Sequence, residues 1–156
     1  MPGPIEISFL NESRTTFDKW SAATGYLVEK GIGGITSTPT ETLPALGGTT
    51  SMGMDQNVLS NLVGGVASIR VGWVSPTTGV CFGVQITMPV QVLHIGHQPY
   101  YETANGVGGH TVPTWSKPVS NPANPSSFPT TIGFHVTCTP KAGHTSLTVS
   151  VKITDL

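Results

Sequence analysis

Ala67-Ser68-Ile69-Arg70-Val71-Gly72-Trp73 and, after a short break, Phe82-Gly83-Val84-Gln85-Ile86-Thr87-Met88 place an apolar residue at every second position. Strand side chains point to opposite faces in turn, so each stretch predicts a strand with one buried and one wet face. A helix would need apolar residues three and four apart, which neither stretch has. Residues 76–79, Pro-Thr-Thr-Gly, fall between them and supply a tight turn, so residues 66–74 and 80–88 read as a β-hairpin. Ile132, Phe134, Val136 and Cys138 alternate in the same way, as do Leu147, Val149, Val151 and Ile153. These runs read as a second hairpin turning at residues 140–143. Several half-buried strands in a short chain predict two layers of sheet. The expectation is an all-β, single-domain antiparallel β-sandwich with long loops, spanning residues 1–156.

The rest of the chain is read from these hairpins. Ile5, Ile7 and Phe9 open an early strand, and residues 11–14 form a polar turn. Residues 17–30 read as strand. Residues 35–46, with Pro39 and Pro44, read as an edge strand or extended loop, since proline cannot donate to a ladder. Gly47-Gly48 starts another polar strand through Asp55, and Val58, Leu59 and Leu62 allow one helical turn over residues 56–62. A short strand follows at residues 90–95. Residues 111–130, punctuated by five prolines, read as a long surface loop.

Composition narrows the function. Only 10% of the residues are charged and the formal net charge is −1, without the basic footprint of a nucleic-acid binder. No apolar run approaches the roughly 20 residues of a membrane-spanning helix. The opening MPGPIEISFL has neither the basic nor the apolar region of a secretory signal. The expected setting is the cytoplasm or a non-classical release, with action at a target-cell membrane. Cys138 shares the apolar phase of its strand and Cys81 has the opposite phase from Phe82, so two unbonded thiols are expected.

No catalytic constellation emerges. His94 and His97 would point to opposite faces of a strand, His110 and His144 are scattered, and His135 sits in a polar phase. The sequence offers no Ser–His–Asp order, no paired carboxylates and no phosphate loop. The expectation is a protein that is not an enzyme and uses no cofactor. Tyr100, Tyr101 and Trp115 lie away from the alternating runs and form the predicted contact surface. Such rings suit a membrane interface, a sugar-stacking floor or a quaternary ammonium group. The alternative for Tyr100 and Tyr101 is that they simply cover one end of the fold.

The order of motifs resembles a known group of proteins. An early strand ending in asparagine, Gly25-Tyr26, Pro44-Ala45-Leu46-Gly47-Gly48-Thr49, Gly64-Gly65-Val66-Ala67-Ser68 and Ile86-Thr87-Met88-Pro89 come in series. This series, over the first two thirds of the chain, is similar to actinoporin-like and aegerolysin-like membrane-binding β-sandwiches. The resemblance implies recognition of a sphingolipid-type head group. Thr87 and Pro89 match a hydroxyl-x-proline step beside the actinoporin phosphocholine site, with threonine in place of serine. The tyrosines do not match in spacing. Strand pattern from Ile5 onward occupies the place of the actinoporins' amphipathic N-terminal helix. Aegerolysins, which lack that helix and often act with a second, pore-forming protein, are therefore the nearer analogy. The resemblance implies a membrane lipid head group as partner, a homo-oligomer or such a second protein beside it, and a role in a cytolytic or insecticidal toxin. A carbohydrate-binding lectin and a self-assembling, capsid-like subunit are the alternatives.

Overall fold

The alternating stretches become strands, and the described residues hold no helix. A computed structural model describes residues 5–20, 26–28, 35–55, 67–88, 100–107, 125–130, 133–143 and 146–156. The strands are β1 (Ile5–Asn11), β2 (Phe17–Lys19), β3 (Tyr26–Val28), β4 (Ile35–Ser37), β5 (Thr42–Leu43) and β6 (Gly48–Met54), followed by β7 (Ala67–Val74), β8 (Val80–Met88), β9 (Tyr100–Val107), β10 (Ser126–Pro129), β11 (Phe134–Ala142) and β12 (Leu147–Asp155). They form two sheets. The first runs β10-β11-β12-β1-β6-β4, and the second runs β5-β2-β7-β8-β9, with β3 also paired along β7.

The hairpin of β7 and β8 sets the inner face of the second sheet. Its register pairs Ile69 with Ile86, Val71 with Val84 and Trp73 with Phe82, and all six side chains are buried. Ser75 and Gly79 close the turn: Gly79 N–H donates to Ser75 O at 2.9 Å, with Gly79 at φ 75°. Glycine takes that left-handed conformation without a β-carbon clash. In the first sheet, Ile5, Ile7 and Phe9 of β1 lie opposite Leu147, Val149 and Val151 of β12, all buried. The two inner faces share one core. Phe9 meets Trp73 edge-on at 5.6 Å, and Phe17 of the second sheet meets Phe134 of the first at 5.0 Å. Each fully buried aliphatic or aromatic side chain contributes about 1.5–3 kcal/mol, so the arrangement is sandwich-like and core-driven.

Four expectations need correction or limits. The sheets are not purely antiparallel, because β1 pairs β12 in parallel. The stretch expected to be one loop over residues 111–130 contains β10, whose Ser126–Pro129 pair antiparallel with β11. The last hairpin turns later than expected, since β11 continues through Pro140 to Ala142. Pro140 lies beyond Cys138, the last residue of β11 that pairs with β10 among the described residues. The fourth correction concerns Tyr101 and is given below. The expected helical turn at 56–62, the strand at 90–95 and residues 111–124 lie outside the described residues. Cys81 and Cys138 are both buried, and neither is in a disulfide.

Candidate functional site

Of the five residues singled out for binding, the structure brings two together. Thr87 of β8 and Tyr100 of β9 are cross-strand partners on the outward face of the second sheet, both half-buried. Ser68 of β7 flanks Thr87 from the other side. One row further along, Gln85 Nε2 donates to Glu102 Oε1 at 3.0 Å. Pro89 and Trp115 lie outside the described residues.

Tyr101 does not lie on an irregular, exposed segment. It is paired with Ile86 within β9 and is fully buried. Because Ile86 faces the core, so does its partner, and Tyr101 joins the core between the sheets. Its hydroxyl donates to Ser126 Oγ at 3.1 Å, tying the edge strand β9 of one sheet to β10 of the other. Burial raises its pKa above the ordinary 10.0, the Ser126 hydrogen bond works against that shift, and Cys138 adds to it. A side chain so placed cannot form a contact surface.

The opposite end of the strands carries a feature that the sequence reading missed. β1 ends in Asn11, which is completely buried. Its Nδ2 donates to Thr15 O at 2.7 Å, Leu43 O at 3.2 Å and Pro44 O at 3.1 Å, while Oδ1 accepts from Ser13 Oγ at 2.7 Å. These bonds clamp the link between β5 and β6 against the 11–15 turn. Leu46 N–H donates to Ser13 O at 2.9 Å and Gly47 N–H to Asn11 O at 2.7 Å. At the tip of the clamped loop, Leu46 is 77% exposed. Val107, at the end of β9 opposite Val80, and Leu156, just beyond β12, are 50% and 72% exposed. All three lie at the end of the fold where β1 finishes. The other large exposed apolar residue among those described, Ile35, pairs with Met54 at the far end. The visible signal was Pro-Ala-Leu-Gly-Gly, a turn with a leucine at its crest.

A third feature is an open groove of about 750 Å³ on the outer face of the first sheet. Ser51, Ser8, Ser150 and Thr139 form one row across β6, β1, β12 and β11. Neighbouring strands are about 4.8 Å apart, so the row is a ladder of hydroxyls at that interval. Glu6 lines the groove, as does Lys152, whose Nζ is 3.5 Å from Glu12. His135, on β11, makes a 3.1 Å hydrogen bond with Ser127 through Nε2. Among the described residues, no three His, Cys, Asp or Glu side chains gather to hold a metal.

No protein-family model and no curated protein matches this chain. The likeness to actinoporin-like and aegerolysin-like proteins therefore rests on the quoted motifs.

Proposed function

We propose that this chain is a non-catalytic module that binds the surface of a lipid membrane. The supporting observation is that Leu46, Val107 and Leu156, all exposed, lie at the same end of the strands, spread across its width from the β5 side to the β9 side. Each leucine side chain moved from water into apolar surroundings is worth about 1.5–3 kcal/mol. Two of them approach the scale of one myristoyl chain, which gives reversible membrane attachment. The Thr87–Tyr100 pair has suitable chemistry for a zwitterionic head group, a hydroxyl for phosphate and a ring for a quaternary ammonium. It sits at the far end of β8 and β9, so a module resting on its Leu46 end would hold that pair away from the bilayer. In this reading the chain is one domain of a lytic system and acts beside a second, pore-forming protein.

Pelleting with phosphatidylcholine vesicles, with and without sphingomyelin, tests the proposal. Co-sedimentation is expected with both, since both carry the phosphocholine head group, and a gain with sphingomyelin would mean that its ceramide amide and hydroxyl are read as well. Protein left in the supernatant with both compositions refutes membrane binding. Dye release by the chain alone would remove the need for a second protein. The hydroxyl ladder on the first sheet favours a second reading, a lectin whose groove takes a neutral sugar. Glycan-array binding without vesicle binding would establish that reading instead.

A further inference from the structure

Leu46 stands at φ 59°, and it is the only non-glycine residue with a positive φ among those described. The left-handed region crowds the β-carbon of any L-residue against the following carbonyl, and glycine or asparagine takes it at lower cost. The leucine side chain gains no burial in return, being 77% exposed. Nor does the loop need a leucine for its shape. That shape is held by backbone and buried polar groups: Asn11 on the carbonyls of Leu43 and Pro44, Ser13 O on the Leu46 amide, and Thr16 Oγ1 accepting from Ala45 N–H at 3.1 Å. A residue that is both strained and wet points to a use outside the folded chain.

We infer that Leu46 is a preformed membrane wedge, a side chain fixed outward so that it enters the apolar edge of a bilayer without rearrangement. This deepens the membrane-binding reading and rests on it. A lipid surface is favoured over a second copy of the chain by area. One leucine side chain exposed at a loop tip offers far less than the roughly 1,200 Å² total of a stable protein interface. A bilayer interface accepts a single inserted side chain, and a loop already ordered loses little conformational freedom on insertion.

Leu46→Asn and Leu46→Met test the wedge, with melting and vesicle pelleting measured on each. Leu46→Asn is expected to melt at the parent's temperature or a few degrees above it, because asparagine tolerates the left-handed backbone. Its vesicle affinity is expected to fall at least about tenfold. Leu46→Met, equally apolar, is expected to bind within about threefold of the parent. If the parent pellets and Leu46→Asn pellets equally well, the wedge is wrong and the membrane reading survives. If the parent itself stays in solution, both fail. A Leu46→Asn protein that melts well below the parent would make the leucine structural and overturn the wedge. A parent dimer that Leu46→Asn splits would assign the tip to a second copy instead.

Discussion

Tyr101 fills the core with its hydroxyl on Ser126, whereas Tyr100, one residue earlier, faces outward beside Thr87. Tyr101→Phe removes one bond between the sheets and should cost about 0.5–1.5 kcal/mol in urea unfolding. Tyr101→Ala should cost about 3–5 kcal/mol, since it also empties the site of a buried ring. Equal stability of Tyr101→Ala and the parent would place the ring outside the core. The sequence hid this because the residues of β9 that pair with Ile86, Val84 and Phe82 are Tyr101, Thr103 and the exposed Asn105, which show no apolar alternation. A pH effect belongs to the same corner. Burial pushes the Cys138 thiol from 9.0 up to about 12, with the Ser126 hydrogen bond working against the shift. The folded chain therefore holds this proton more tightly than the unfolded chain does. The resulting stabilisation is whole below about pH 9 and is lost as the pH climbs toward 12. Cys138→Val should lose less stability than the parent between about pH 8 and 10.5. Identical alkaline losses in urea midpoints would contradict the assignment.

At the level of elements, alternation carried its message wherever a strand is apolar on one face. The β7–β8 hairpin lies within a residue of its expected limits, and the phases of β1, β11 and β12 match their buried faces. β10 was illegible because Ser126-Ser127-Phe128-Pro129 has a single strand former, Phe128, directly before a proline. It is a strand because the edge of β11 offers it partners. The last turn was misplaced because Pro140 looks like a stop, although its missing N–H matters only where a neighbour would accept it. The β5–β6 link gives a prediction of its own. A β-carbon on Gly48 would collide with the backbone carbonyl of Pro44, which has little freedom to move aside. Gly48→Ala should therefore destabilise the fold by about 1–3 kcal/mol. Hydrogen exchange should report the damage first at the amides of Leu46 and Gly47. Unchanged protection there would mean that the loop is looser than its hydrogen bonds imply.

For the molecule as a whole, a net charge of −1 and an apolar tip predict a membrane contact that ignores electrostatics. Vesicle binding should change little between about 50 and 500 mM salt and should not require anionic lipid. A steep loss with salt would point to charge attraction rather than to Leu46. Periodicity could not supply the order of strands in each sheet, because it tells which way a side chain faces and not which strand lies beside it. The parallel pairing of β1 with β12 is the clearest case, joining residues 5–11 to residues 147–153. That pairing has a consequence for biosynthesis. At the usual 5–20 residues per second, β1 leaves the ribosome roughly 7–28 seconds before its partner does. Throughout that interval Ile5, Ile7 and Phe9 lack the strand that later lies beside them, however early β6 arrives on the other side. The nascent chain thus carries a sticky, half-paired edge until translation reaches β12, and a chaperone that shields such edges would raise the yield of folded protein.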